Sequence, residues 1–551
     1  MVAEQGSEQF NELVGVTKVY PAWLSPYFAD DTNALFLNAT LNPEFSTAVD
    51  KEISWRSTVS FFNMQLAYSL GYERVLLIGF DHSYVQPEGS IEGQPIDQKT
   101  DDVNHFRADY FKGKQWQAAD VSEMEKVYQL ARVAYEDAGR TLLNATSGGH
   151  LEVFPRVSLE EAFISAAQVQ QRSLDARGEK LRVLVLSASE VNSQCATGAV
   201  KSHYFKNMED CDILQLYTSP SADVAQVRSR SISAHDDDHD VHGVALHFRP
   251  HVIYFRPSAN PTYYFEVCLR LIAALQVPVV THVMDDWVSR HDLEQLQPMF
   301  QARMREMLDR SAGRLAISPG MADAYKERYG RSFFPLANYV TDQPTASKVS
   351  DETYTIRYCG GLDATMTRET IAMVSRAVEE LNGEGMRARL DIYTMPWYME
   401  FAESIGSTNV HIHEMASDAE YPGLLASSDL LLIGYNFDAQ SIAYVRYSIA
   451  NKLADYLNAG APVLLIGPRD IETISFCESR AIGHVCTENS ATAVKSAIAG
   501  LMNLHPAERE ELVARSHTSY AEFCNSDVSP QMFRAHLTLS LIHISEPTRP
   551  Y

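Results

Sequence analysis

The sequence predicts an α/β protein built from tandem Rossmann-like domains, and three observations carry that expectation. Short continuous apolar runs, Arg74 to Phe80 (RVLLIGF), Leu181 to Ser187 (LRVLVLS) and Val463 to Ile466 (VLLI), have strand length without alternation. Strands of that kind belong to parallel sheets covered on both faces. They alternate with helical stretches such as Phe61 to Leu70, Val121 to Ala138 and Tyr263 to Leu275, the order that winds a sheet on both sides. Glycine pairs follow two of the strands, at Gly148-Gly149 and Gly360-Gly361, where a backbone without Cβ can approach a ligand closely.

The chain has 551 residues, which sets an expectation of three or four domains of about 150 residues each. A net charge of -25 argues against an electrostatically driven nucleic-acid binder, because neutralising phosphates needs a basic surface. The start, MVAEQGSEQFNELV, is acidic and lacks an apolar core, and no apolar run approaches the roughly 18 to 20 residues that span a bilayer. We therefore expect a cytoplasmic protein, with peripheral association at the inner face of the membrane left open. The seven cysteines are scattered with no C-x-x-C pair, so neither a disulfide framework nor a zinc site is expected. The last residues, Ser540 to Tyr551 (SLIHISEPTRPY), read like a translated sequencing adapter and are set apart from the fold.

Residues 1 to 172 form the first expected domain. The strand Arg74 to Phe80 ends at Asp81-His82, beyond the carboxyl end of a strand, where ligands of such sheets bind. A second strand, Arg140 to Asn144, leads into Ser147-Gly148-Gly149; close ligand approach or a plain turn would both use that pair. Taken in order, LGYERVLLIGFDHSY, DVNHFRADYF and NATSGGHLEVFPRV resemble the sialyltransferase-like domain of unknown function of bacterial polysaccharide and motility-associated glycosylation proteins. The resemblance covers about residues 55 to 165 and implies a Rossmann-like fold linked to nucleotide-activated sugars. The first strands and Gly-rich loop usual in that family are not evident before Phe36, which reads as an N-terminal truncation.

A polar linker, Ser173 to Lys180, precedes a second domain at 181–347. Gly198 sits in a loop ahead of a helix expected at Ala199 to Asn207, and a free helix N-terminus favours anions. The run His235 to Asp240 (HDDDHD) reads as a solvated loop, since nothing fixes a coordination geometry. His282, Asp285 and Asp286 in THVMDDW follow a buried strand; carboxylates there could orient sugar hydroxyls or take a proton, or simply cap the loop.

The third domain, 348–510, opens with the strand Ile356 to Cys359 and Gly360-Gly361, with Arg368 at the start of the next helix. Two glycines, a permanent cation and a helix N-terminus suit a diphosphate. Further on, YSIANKLADYLNAGAPVLLIGP, Tyr447 to Pro468, reads as one helix followed by a buried strand, with Ser448, Lys452 and Asp455 on one polar arc. A hydroxyl, an ammonium and a carboxylate together invite a phosphate-bearing ligand; a surface salt bridge between Lys452 and Asp455 would also explain two of them. Helical sequence continues over 511–539 and is expected to pack back across the domains.

Together VPVVTHVMDDW, RLAISPGMADAYKERYG, IRYCGGL, SSDLLLIGYNFD and SIANKLADYLNAGAPVLLIGP resemble family 4 type GT-B glycosyltransferases over about residues 181 to 510. The resemblance implies a GT-B pair, with 181–347 as acceptor domain and 348–510 as nucleotide-sugar donor domain. It implies that Gly360, Gly361, Arg368 and Lys452 face the donor diphosphate, that Asp455 holds the ribose, and that transfer is metal-free and retaining. The position eight before Asp455, where that family carries an acid, is Tyr447. The expected activity is sugar transfer from a nucleotide sugar, used as substrate with no cofactor, to a glycan or glycoconjugate in bacterial surface polysaccharide synthesis. A nucleotide-sugar epimerase and a non-catalytic scaffold are the alternatives.

Overall fold

The computed structural model describes residues 17–28, 33–86, 89–104, 109–188, 204–205, 208–217, 228–231, 238–258, 262–289, 297–339, 353–417, 419–523 and 528–541. The chain divides into two compact units, Met1–Phe163 and Ile164–Tyr551. The helix Leu159–Ala176 runs through that division, so the start of the expected linker is helical. Leu174 is buried on it, and the chain turns only at Gly178, whose φ of 68° suits glycine.

In the first unit β1 (Lys18–Pro21) pairs with β2 (Ala34–Leu37), β3 (Ala39–Thr40) with β4 (Ile53–Ser54), and β5 (Arg74–Leu77) with β8 (Thr141–Asn144), all parallel. β6 (Pro95–Asp97) and β7 (Gln115–Gln117) are antiparallel. The helix Val121–Asp137 connects toward β8 and buries Val127, Tyr128, Ala131 and Tyr135 along one stripe, a spacing set by 3.6 residues per turn. The Rossmann-like character of this unit lies in the pair β5–β8 with that helix; among the described residues the pairs do not join into one sheet.

The second unit holds two larger parallel sheets. The first contains β9 (Arg182–Leu186), β10 (Asp212–Tyr217), β11 (Arg228–Ser231), β12 (Val252–Phe255), β13 (Val279–Val283), β14 (Ser311–Ala316) and β15 (Phe334–Pro335). The second contains β16 (Tyr354–Cys359), β17 (Ala388–Thr394), β18 (Val410–Glu414), β19 (Leu430–Gly434), β20 (Val463–Ile466) and β21 (His484–Cys486). Their spatial orders are β11-β10-β9-β12-β13-β14-β15 and β18-β17-β16-β19-β20-β21. Counted within each sheet, both begin 3-2-1-4-5-6, the order of the doubly wound dinucleotide-binding fold. The tandem Rossmann-like arrangement expected from the sequence is present. The central strands are buried throughout, as VLLI in β20 shows, because helices cover both faces.

Two helices close the chain, Pro506–Phe523 and Ser529–Leu539. The second returns to the first sheet: the Phe533 ring lies 4.7 Å from Tyr204 and 5.2 Å from Tyr254, and Arg534 pairs with Asp210. Ser540 belongs to this helix end, its hydroxyl donating to the Leu537 carbonyl. The five described cysteines, Cys211, Cys268, Cys359, Cys477 and Cys486, are buried free thiols. No helix among the described residues is long and apolar enough to cross a membrane.

Candidate functional site

In a sheet ordered 3-2-1-4-5-6 the connections leave in opposite directions after the first and fourth strands, opening a crevice at their carboxyl ends. In the second sheet those strands are β16 and β19. β16 ends at Cys359 and is followed by Gly360, whose φ of 154° few side chains adopt. A Cβ at Gly360 would overlap the Lys452 ammonium, and one at Gly361 would meet the Tyr398 ring at 3.1 Å. The loop is fixed from behind: the Tyr358 and Thr367 hydroxyls both donate to the Gly361 carbonyl. Glycine at 360 is therefore what lets a cation lie against the backbone at the crevice.

Lys452 opens the helix Lys452–Asn458. Its ammonium lies 4.0 Å above the Tyr358 ring, and among the described residues it has no hydrogen bond or ion pair. Burial pulls its pKa down to about 8, against an ordinary 10.5. Asp455 follows one turn later, and burial pushes its carboxyl up to about 7 from 3.8. The two do not pair with each other, so the surface salt bridge considered from the sequence is not formed. Each ionisable group is half-buried without a countercharge, an unfavourable arrangement that a ligand carrying an anion and a hydrogen-bond donor would relieve.

Ser448 does not share this face. The helix is shorter than the stretch suggested, beginning at Lys452, and residues 446–451 form a non-helical strap. Ser448 instead donates to the Met284 carbonyl of the first sheet's side at 3.3 Å. The strap carries further bonds of this kind: the Ser318 hydroxyl donates to the Tyr447 carbonyl at 2.6 Å, and the Asn338 amide to the Asn451 carbonyl at 2.9 Å. Beyond it, the Gly320 amide donates to Glu472 at 3.1 Å. Helical periodicity predicted the wrong structure for the strap because these partners are more than a hundred residues away in sequence.

Arg368 is the first residue of the helix Arg368–Gly383. Its Nε donates to the Leu362 carbonyl at 3.1 Å and its guanidinium lies 4.4 Å above the Phe401 ring. It borders a cavity of about 350 Å³ with Thr370, Met373, Arg376, Phe401 and Phe437 among its walls. The helix N-terminus itself is occupied: the side-chain oxygen of buried Asn436 accepts from the amides of Glu369 and Thr370 at 3.0 and 3.3 Å. The free amides expected there for a diphosphate are thus already bonded, which leaves Arg368 and Lys452 as the charges beside the Gly360–Leu362 loop.

The motif after β13 divides. His282 is fully buried, its Nδ1 3.0 Å from the Tyr254 hydroxyl. Burial and Arg256 lower its pKa to about 3, so it stays neutral and has no exposed surface from which to touch a substrate. Asp286 is also fully buried and accepts from Arg328 at 2.7 and 3.0 Å, Tyr325 at 2.9 Å and Ser289 at 2.6 Å. Fully buried and engaged by four donor atoms of the chain itself, the carboxylate presents no open face to a substrate, unlike the catalytic expectation. Asp285 remains partly exposed and pairs with buried Arg256, a residue the sequence did not single out, at the carboxyl end of β12. Gly198 lies outside the described residues.

Other residues at these contacts were not singled out from the sequence. Glu472, Asn436 and Tyr398 gain their meaning only from contacts distant in sequence, and Trp397, exposed on the short 3-10 helix Pro396–Tyr398 after β17, carries no motif. No family model and no curated protein matches the chain. Among solved structures, an alpha,alpha-trehalose 6-phosphate synthase from Burkholderia multivorans aligns over 66% of this chain and 99% of its own at 9% identity and a TM-score of 0.45. WaaG, a glycosyltransferase involved in lipopolysaccharide biosynthesis, aligns over 65% and 99% at 13% identity and a TM-score of 0.43. The E. coli trehalose-6-phosphate structure bound with UDP-2-fluoro glucose aligns over 64% and 97% at 10% identity and a TM-score of 0.43.

Proposed function

We propose that the chain is a glycosyltransferase that moves a sugar from a nucleotide-sugar donor to a glycan or glycoconjugate acceptor, in the synthesis of a bacterial surface polysaccharide. The observation that supports it is the unpaired, half-buried Lys452 held against Gly360 at the crevice of the second sheet, with Asp455 one turn away. In this reading the donor diphosphate lies along the Gly360–Leu362 loop between Lys452 and Arg368. Negative charge grows on the diphosphate as the bond to the sugar breaks, so a pre-positioned ammonium in a partly desolvated site counts most at that moment. Asp455 accepts a ribose hydroxyl. The sugar then faces the first sheet, where Asp285 and Arg256 border the acceptor side, and transfer proceeds with retention.

The test is release of nucleotide from UDP-, GDP- and CMP-sugars with and without glycan acceptors. Acceptor-dependent release supports transfer. Sugar isomerisation without release would make the chain an epimerase, binding without turnover a scaffold, and neither binding nor turnover would remove the nucleotide-sugar reading altogether.

A pH profile gives a second prediction. Between about pH 8 and 10.5 the unfolded chain keeps the Lys452 proton that the folded chain has lost, so stability rises with pH across that window. Between 3.8 and about 7 the folded chain holds an Asp455 proton the unfolded chain lacks, so stability falls as pH rises. Binding of a diphosphate needs the ammonium. Affinity for the nucleotide that binds should therefore fall as pH rises past 8, by about fivefold between pH 8 and 9 for one titrating group. Calorimetry checks this, and Lys452→Arg should flatten the profile; the same fall in that variant would assign it elsewhere.

A further inference from the structure

We propose that the edge of the second sheet carries a binding site for a divalent transition-metal ion, formed by Asp391, His411 and His413. Antiparallel or parallel, a strand sends alternate side chains to the same face. Here the register sets Asp391 of β17 opposite His411 of β18, and Tyr393 opposite His413, so the three donors share one face. One ligand atom from each lies within 4.8 Å of the others. His411 Nδ1 and His413 Nε2 are each 3.8 Å from Asp391 Oδ1, too far for hydrogen bonds and close enough to surround one ion.

The orientation of each donor supports this assignment. His411 Nε2 lies 3.1 Å from the Thr408 carbonyl. A carbonyl can only accept, so Nε2 carries the hydrogen and Nδ1 presents its lone pair to the gap, the pattern of metal-bound histidines. The His413 ring is held flat against Tyr393, 4.6 Å between centroids at 17°, and its Nε2 is buried without a hydrogen-bond partner. Asp391 is 4% exposed, and its Oδ1 is ion-paired with Arg389 Nε at 3.1 Å while a second lone pair of that oxygen stays available on the side of the two imidazoles. Asp391 Oδ1, His411 Nδ1 and His413 Nε2 thus converge on one gap without hydrogen-bonding one another.

Tetrahedral bonds of about 2.0–2.1 Å would put donors about 3.3 Å apart, which small side-chain rotations reach from 3.8 Å. Two imidazoles and one carboxylate suit zinc or cobalt rather than calcium or magnesium, which need mostly oxygen. Arg389 Nε at 3.1 Å and Arg357 Nε at 3.6 Å from the Asp391 oxygens hold the carboxylate in place. Their charge also weakens the hold on the cation, so the imidazoles supply most of it.

The test is titration of the full chain with Co²⁺, read by its visible absorption, followed by displacement with Zn²⁺. The wild-type chain should take up one equivalent and melt at a higher temperature with Zn²⁺ present. His411→Ala/His413→Ala should lose that equivalent, an affinity drop above about 100-fold, with an unchanged far-ultraviolet spectrum. His484→Ala, an exposed imidazole on the opposite edge strand β21, should keep it. If the double variant does not fold, His411→Gln and His413→Gln replace it with the same expectation. A wild-type chain without the cobalt bands, or variants that retain them, overturns the proposal. Neither result depends on the glycosyltransferase reading, because no sugar nucleotide is present.

Discussion

Replacing Lys452 with alanine is expected to raise the barrier to donor turnover by about 2–4 kcal/mol, a loss of about 30- to 1,000-fold in rate. The same variant should not be destabilised. Lys452 is half-buried with the Tyr358 ring against its ammonium and no countercharge, so removing it relieves a cost at neutral pH while losing some packing. Turnover and urea unfolding measured on one preparation separate the two roles. A variant that turns over normally, or one whose lost rate follows lost stability, would make Lys452 a packing residue. Gly360→Ala should act in the same direction on turnover, since its Cβ would displace the ammonium.

Asp286→Ala should produce the opposite pattern, a stability loss of about 3–5 kcal/mol. The carboxylate is the shared acceptor of Arg328, Tyr325 and Ser289, and its removal leaves a partly buried guanidinium and a buried phenol without their partner. Denaturant unfolding checks it, with Asp286→Asn expected to fall between the variant and the wild type. A loss below about 1 kcal/mol would mean that water replaces the carboxylate and that the network holds little.

The contrast between these two residues shows what the sequence could disclose. Strands β9 and β20 were legible because a sheet covered on both faces needs nearly uninterrupted apolar runs, and Gly360-Gly361 was legible because a crevice needs a backbone without side chains. Lys452 and Asp455 lay one turn apart on a helix, a relation that spacing alone reveals. His282 and Asp286 looked the same as crevice residues because they end a strand, yet β13 is a central strand and its neighbours bury them. The strap 446–451 was read as helix since its apolar spacing fits one, and its bonding partners near Ser318 and Asn338 leave no mark in the local sequence. Asp391, His411 and His413 went unnoticed for the same reason: twenty residues separate the aspartate from the first histidine, and only strand register brings them together.

Two of the strap's bonds join side chains of the first sheet's side to main-chain carbonyls of the strap, and a third, from Ser448 to the Met284 carbonyl, runs the other way. Ser318 and Asn338 give the hydroxyl and the amide, whereas Tyr447 and Asn451 give only peptide oxygens, which every amino acid possesses. Substitution is therefore asymmetric across this junction. Substitution at 447 or 451 can preserve these two bonds, whereas a change at 318 or 338 removes one of them and leaves the Ser448 and Gly320 bonds to hold the join.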